Sequence, residues 1–432
     1  MQGVERADGL DGKGAPRPLD RWLPRGAIGS DPCGGSAAPP APCVAVSRPL
    51  LWRQVDAFSH TNAEDPALRI IAMVPMSRLA ATICLLAAML AIPAAASAQA
   101  SPGSYKLGMF RESGRTFVGV VLDDAVVVDL SRADPGAPPT VRELIERWDA
   151  SRSEQIASLA AAARRSPPAY AFPLAGVTTL PPLEDPDVIL MAARNYVEHA
   201  QEMAAVGRAS GTTSVIDDSV RAGLPGVWTR DPADERPNPY LFPKLKSALS
   251  ANGDAIVLPP GRPMIDYECE LIAVIGRNAR RVPVDEALDY VFGYMAMVDV
   301  SDRQERADGR YGSDWFMGKS HDTFGPSGPF VVPAAFVGDP QNLRIRYALN
   351  GQVMQDASTG LMVHTVRDLV SFASHMATLR PGDLVGTGTP GGVGEGRTPP
   401  VYLQDGDRSE CTIERIGTLR NPVAAGPTGS MR

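Results

Sequence analysis

Acidic side chains interrupt a stretch that otherwise has the composition of a buried strand: Asp266-Tyr267-Glu268-Cys269-Glu270 leads straight into Leu271-Ile272-Ala273-Val274-Ile275-Gly276. Successive strand side chains alternate faces, so Glu268 and Glu270 point one way while Cys269 and Leu271 point the other. Two carboxylates sharing a buried site repel each other and lose hydration, and they persist only if a proton, a cation or strong hydrogen bonds compensate them. A second apolar run, Tyr294-Met295-Ala296-Met297-Val298, stops on Asp299, which offers a third acid. Three carboxylates with waters completing the shell suit a hard cation, Mg2+ or Mn2+, with Ca2+ suiting a larger site; zinc would prefer His or Cys. The competing reading makes these acids ordinary surface residues at strand ends.

The elements that must hold such a site read as α+β, mostly β. Alternating runs over 105–110, 116–122 and 125–130, parted by short polar turns, predict a small meander of strands. Helices are expected over 140–150, where Thr140 suits an N-cap with Glu143 three residues on, and over 153–165, stopped by Pro167-Pro168. This small N-terminal domain spans 104–182, and Pro181, Pro182 and Pro186 mark a linker into a larger domain over 186–421. There, strands are expected at 187–192, 255–258, 267–275, 293–300, 328–332, 343–349 and 383–386, and helices at 195–204, 284–288 and 366–379. The end, from Arg420 through the 422–432 tail, reads as loose, and no internal repeat is visible.

With 432 residues, 44% of them hydrophobic, and a net charge of -7, the chain is globular and mildly acidic. Lys and Arg are scattered without a basic stripe, which argues against a nucleic-acid partner. Met76-Ser77-Arg78, an apolar stretch over 79–92, Pro93 and Ala94-Ala95-Ala96-Ser97-Ala98 have the layout of a signal peptide cleaved near Ala98, before Gln99. The apolar stretch is shorter than the roughly 20 residues that span a bilayer, so no stable membrane anchor is expected. The expected location is periplasmic or secreted, with a cytoplasmic protein as the alternative if that segment is not used. Residues 1–75, rich in Pro and Gly and without periodicity, are then expected to be a disordered leader or an over-extended reading, the true start being Met76 or Met73. Beyond the signal segment only Cys269 and Cys411 remain, so no disulfide framework is implied, and Cys269 is expected to turn away from the acids into packing.

Six motifs in order carry a resemblance over nearly all of 104–421: Arg194-Asn195-Tyr196-Val197-Glu198-His199, Phe242-Pro243-Lys244, the acidic strand 266–270, Asp299-Val300-Ser301, Gly318-Lys319-Ser320 with Asp322-Thr323, and Leu379-Arg380-Pro381-Gly382-Asp383 running into Thr387-Gly388-Thr389-Pro390. In these the chain resembles the fumarylacetoacetate hydrolase family, in its bacterial branch with a small N-terminal domain. The resemblance implies the family's mixed β-roll, a homodimer, and a metal held by Glu268, Glu270 and Asp299. It also makes a catalytic pair of His199 and Glu202, whose i, i+3 spacing puts both on one helix face. For a lone helical histidine, capping or packing would be the ordinary role, and the family reverses that preference. Lys319 matches the family lysine that meets substrate oxygen, and Arg303 matches the arginine that holds a substrate carboxylate through its planar fork. Thr389, whose hydroxyl and neighbouring amides could contact a developing oxyanion, and Tyr196 complete the implied substrate contacts.

Gly386-Thr387-Gly388-Thr389-Pro390-Gly391 fits the dinucleotide pattern formally, but Pro390, Gly391 and Gly392 stand where a helix should begin, so no nucleotide cofactor is expected. The chain departs from true fumarylacetoacetases in lacking an acid ahead of Asn195, in carrying Arg306 seven positions beyond Asp299 where a Gln is frequent, and in a long 203–238 segment. That segment, with Trp228 and Arg230, is expected to reshape the pocket. The implied activity is metal-dependent hydrolysis of a carbon–carbon bond in a small anionic 2-oxo or 2,4-dioxo acid. A decarboxylase, hydratase or isomerase with the same site is the near alternative, and a non-catalytic dicarboxylate-binding protein the distant one.

Overall fold

Every residue of the strands Cys269–Ile275 and Val291–Val298 is buried, which is why both read as unbroken apolar runs instead of alternations. They pair antiparallel, Cys269 opposite Val298 and Glu270 opposite Met297. In the computed structural model, which describes residues 103–210, 227–304 and 314–427, this pair is the centre of a 12-stranded mixed sheet. To one side lie Leu384–Gly386, Ile189–Ala192 and Leu241–Pro243. To the other lies Gly325–Pro333, and beyond it the expected meander, Lys106–Glu112, Arg115–Leu122 and Val126–Asp129, joined through Leu107 opposite Val331. A five-stranded sheet runs in the order Gln352–Ser358, Arg344–Leu349, Arg408–Ile413, Gly417–Ala425, Ile256–Leu258. The leader 1–75, the segment 76–98, residues 211–226 and Arg306 lie outside the described residues.

The period-two alternation of the central strands separates two cores. Leu271, Ala273 and Ile275 pack with Ile345, Tyr347, Ile413 and Leu419 of the smaller sheet. Ile272 and Val274 face Tyr105, Leu144, Ile145 and Ile156 of the N-terminal region. Each such side chain removed from water contributes roughly 1.5–3 kcal/mol, enough to fix which face each strand shows to which neighbour. Cys269 turns away from the acids, as alternation requires, and meets Cys411 in the middle of the smaller sheet. The two form a disulfide with Cα atoms 5.4 Å apart. This corrects the reading that no disulfide is implied: 142 residues separate the two cysteines, and only the facing of two sheets brings them together.

Local signals explain most of the remaining boundaries. Thr140 Oγ1 accepts from Glu143 N at 3.1 Å and opens the helix Val141–Glu146. Asp149 then caps a second helix, Ala150–Arg165, accepting from Arg152 N at 2.7 Å. A new cap so close behind the first helix ends it three to four residues before the expected 150. Asn195 precedes a longer helix than expected, Val197–Ser210, while 284–288 yields only the 3-10 turn Ala287–Tyr290. The end of the chain differs most. Gly417–Ala425 is a strand that carries on through Pro422, paired to Arg408–Ile413 and, at Val423, to Ile256.

Candidate active site

The acidic cluster forms where the first central strand begins and the second ends, at Cys269 opposite Val298. Asp299 N donates to Glu268 O at 2.8 Å, so the third acid is pinned beside the first by backbone. Glu268, Glu270 and Asp299 are all buried, and each brings a carboxylate oxygen within 4.8 Å of the others. Glu270 Oε2 accepts from Gly388 N at 2.9 Å, whereas its Oε1 has no partner. Gly388 makes that contact at φ 84°, and a Cβ there would lie 2.8 Å from the Asn195 Cβ, so only glycine fits. Burial, with the charges of Asp299 and Glu268, pushes the Glu270 carboxyl well above the usual glutamate range. Burial works the same way on Glu268, but Lys319 and Arg303 beside it outweigh burial and hold it low.

Two buried lysines meet this cluster. Lys319, on the short helix Trp315–Lys319, places Nζ 2.8 Å from Glu268 Oε2 and 2.7 Å from Asp299 Oδ2. Lys244, at the end of Leu241–Pro243, lies 2.9 Å from Asp299 Oδ1 and donates to Phe324 O at 2.8 Å and to Lys319 O. Arg303 donates from Nε to Asp266 Oδ2 at 2.9 Å and from Nη2 to Glu268 Oε1 at 2.7 Å. Four buried acids, Glu268, Glu270, Asp299 and Asp266, thus face three buried cations, Lys319, Lys244 and Arg303. The one acid in excess is Glu270, whose Oε1 is orphaned. That oxygen, the raised Glu270 and the all-oxygen donor set fit a divalent cation held by Glu268, Glu270 and Asp299.

A pocket opens against this cluster, lined by Glu268, Lys319, Arg303, His199 and Thr389 among others. His199 and Glu202 share a face of Val197–Ser210, with Nδ1 and Oε2 3.8 Å apart, beyond hydrogen-bond range. Glu202 instead accepts from Gly392 N at 2.8 and 3.1 Å, tying the helix to the glycine-rich loop. Thr389 Oγ1 donates to Cys269 O at 3.0 Å and accepts from Gln355 Nε2 at 2.8 Å. A hydroxyl has one proton, so Thr389 steadies the acidic strand and is not free to donate to an oxyanion; Gly388 N, likewise, is taken by Glu270. Tyr196 is buried outside the pocket lining, its hydroxyl unpartnered, and burial together with Glu270 raises its pKa.

Of the described part of the long segment, Met203 lines the pocket, whereas the stretch from 227 on packs elsewhere. Trp228 Nε1 donates to Ser371 Oγ at 2.9 Å and meets Phe372 edge-on, on the helix Val366–Met376, with Arg230 over its ring at 4.8 Å. Trp228 and Arg230 are therefore not among the pocket's lining residues, against the expectation for those two, while Met203 of the same segment is. Beneath Trp228 lies His364, whose N–H and C=O are both bonded by the Asn195 side chain at 2.8 Å. Burial, helped by Arg236, lowers the His364 pKa to about 4. The unfolded chain gains this proton near pH 6.5 and the folded chain only near 4, so folding stability falls as pH drops through that interval, by about 2 kcal/mol after allowing for partial solvent access. His364→Gln should flatten that part of a melting-temperature profile between pH 7 and 4, and an unchanged slope would contradict it.

Lys244 and Asp266, which the sequence offers only as motif members without a role, and Gln355, which it does not offer, also hold the cluster. Lys244 directly follows Phe242-Pro243, and a lysine closing an apolar strand is a signal. Asp266, in the acidic strand itself, accepts from Arg303, from Gly394 N at 2.7 Å and from Glu395 N at 3.1 Å.

Fold and site together define a mixed β-roll protein with a buried carboxylate triad, one member of which, Glu268, lines a small pocket. The family model described as fumarylacetoacetate (FAA) hydrolase C-terminal matches residues 188–424, and the chain belongs to this family. It is 35% identical over 297 residues, 69% of this chain and 83% of the relative, to oxaloacetate tautomerase Fahd2a, mitochondrial, of Rattus norvegicus. It is 35% identical over 320 residues, 74% and 96%, to 2,4-didehydro-3-deoxy-L-rhamnonate hydrolase of Sphingomonas sp. (strain SKA58). Among solved structures it matches maleylpyruvate hydrolase from Sphingobium sp. SYK-6 in complex with manganese (II) ion and pyruvate. That match has 29% identity and a TM-score of 0.54, covering 74% of this chain and all of that one.

Proposed function

We propose that the protein is a divalent-metal-dependent hydrolase that cleaves a carbon–carbon bond in a small 2,4-dioxo acid of the acylpyruvate class. The observation that carries this reading is the buried, half-orphaned Glu270 within 4.8 Å of Glu268 and Asp299, beside a pocket that presents His199, Lys319, Arg303 and Arg194. The maleylpyruvate hydrolase of Sphingobium, solved with manganese (II) ion and pyruvate, supports the same chemistry. A cation held by Glu268, Glu270 and Asp299 would supply Lewis-acid polarisation of the 2-oxo acid. Arg303, which lines the pocket and is fixed at Nε by Asp266 and at Nη2 by Glu268, would meet the substrate carboxylate. His199 Nδ1 turns toward Glu202, which leaves Nε2 to take a proton from water. The resulting hydroxide adds to the C4 carbonyl, and the C3–C4 bond breaks with its electron pair passing to C3. Protonation of C3 then gives pyruvate beside the free carboxylic acid. Lys319, balanced between Glu268 and Asp299, keeps the ammonium next to the oxygen on which charge develops.

The test is pyruvate release from acetylpyruvate or a longer acylpyruvate in the presence of Mg2+ or Mn2+. His199→Gln should lower kcat about 100-fold while leaving metal affinity within about threefold. The likeness to an oxaloacetate tautomerase favours a second reading, a proton shift at the same residues. Faster keto–enol exchange of oxaloacetate with no pyruvate release from any acylpyruvate would replace the first reading by the second. The location we propose is periplasmic or secreted, because the 76–98 layout and a disulfide between buried cysteines both suit an oxidising compartment. Protein recovered from that compartment should carry the intact Cys269–Cys411 bond and begin near Gln99, and a reduced cytosolic form would overturn the assignment.

A further inference from the structure

We infer that the substrate's acyl group, at the end distal to the 2-oxo acid, is an apolar alkyl or aryl group, selected by Trp315 with Phe242. The inference rests on the preceding reading that a 2-oxo acid binds at the carboxylate triad. Its basis is an aromatic row that runs from the buried cluster to the surface. Lys319 Nζ lies 5.2 Å from the Phe242 ring centre, Phe242 packs on Trp315 at 4.5 Å, and Trp315 packs on Tyr240 at 5.3 Å. Exposure rises along the row from 4% at Phe242 to 51% at Tyr240. Both Phe242 and Trp315 line the pocket, and Met203, Ala192 and Ala193 add further apolar lining.

The charged lining groups other than Arg194 are Glu268, Lys319, Arg303 and Asp302. The first three bond to one another and to Asp266, and Asp302 is occupied by Arg262. Arg194 already has an interaction of its own. Among the described residues, a distal carboxylate laid along Phe242 and Trp315 would lose hydration beside cations that already have partners. An alkyl or aryl acyl group would instead bury apolar surface against rings at stacking distance.

Two measurements on the full-length, Mn2+-loaded protein test this. The first compares kcat/KM for acetylpyruvate, benzoylpyruvate and fumarylpyruvate, with benzoylpyruvate expected to exceed fumarylpyruvate by about 10- to 100-fold. The second measures calorimetric binding of pyruvate, phenylpyruvate and 2-oxoglutarate without turnover, with phenylpyruvate expected to bind at least about tenfold more tightly than 2-oxoglutarate. Trp315→Ala should shrink the benzoyl-over-acetyl ratio about tenfold, mainly through KM, and Trp315→Phe should restore it. Preference for fumarylpyruvate and 2-oxoglutarate, with Arg194 taking the distal carboxylate, would overturn the inference, as would equal treatment of all three tails. If no acylpyruvate is cleaved yet phenylpyruvate outbinds 2-oxoglutarate, the hydrolase reading falls and the apolar subsite stands.

Discussion

Glu270→Gln should weaken Mn2+ binding roughly a thousandfold, about 4 kcal/mol, while leaving the metal-free protein at least as stable as its parent. The two halves follow from one environment. Glu270 is buried with a single donor, Gly388 N, and faces Asp299 and Glu268, so without a cation its charge is the least compensated in the cluster. Glutamine keeps the shape and can keep an acceptor toward Gly388 N. Its amide N–H groups would then replace the orphaned oxygen and donate toward the neighbouring acids, so the metal-free fold loses a repulsion. The metal loses an anionic ligand, which an amide oxygen does not replace.

The sign with pH is fixed by the same shift. Glu270's folded pKa lies above its unfolded one, so the folded state holds a proton that the unfolded chain has released. Its contribution to metal-free stability is therefore fully present below the ordinary glutamate range and is lost as pH rises through the raised value. Melting temperatures across pH, with and without Mn2+, check both halves. The metal-free parent should lose stability over that rise and E270Q should not, and a Kd for E270Q within threefold of the parent would remove Glu270 from the ligand set.

Legibility in the sequence tracks the range of the interaction. Alternation over five residues puts Glu268 and Glu270 on one face, and an apolar run ending in Asp299 supplies the third acid, because both are local consequences of strand geometry. Thr140 as an N-cap is readable for the same reason. The motifs carry the family, and with it Lys319 and Arg303, but not where their charges go: Arg303's fork is shared with Asp266, 37 positions away. Spacing makes Glu202 the partner of its helical neighbour His199, yet a backbone N–H 190 positions away at Gly392 competes for its oxygens and wins. Lys244 shows the same limit, since a lysine side chain in an apolar setting declares its burial only once Asp299, Lys319 O and Phe324 O surround it. Past Arg420 the Asn421-Pro422 pair has the composition of a stop, but neighbouring strands on both sides hold Gly417–Ala425 in the sheet.

Removing the disulfide, as Cys269→Ala with Cys411→Ala, should cost the fold about 2–4 kcal/mol and leave Mn2+ affinity within about tenfold of the parent. The bond closes a loop of 142 residues, for which the chain-entropy account gives close to ~5 kcal/mol of stabilisation. Measured values for native disulfides fall below such ceilings because unfolded chains retain structure. The metal site should suffer less, because the acidic strand is held by more than sulfur. Cys269 N donates to Gln355 Oε1 at 3.1 Å, Cys269 O accepts from Thr389 Oγ1 at 3.0 Å, and Tyr267 stacks on Tyr347 at 4.3 Å. The first two contacts are made by backbone atoms that alanine keeps, and the third lies outside the substitution. Urea unfolding of the double variant beside the oxidised parent reads the first effect, and Mn2+ titration in native buffer reads the second. Equal unfolding midpoints would mean that the thiols are not joined in the folded protein. A midpoint loss accompanied by abolished Mn2+ binding would mean that the cross-link, and not the Gln355 and Thr389 contacts, sets the spacing of Glu268 and Glu270.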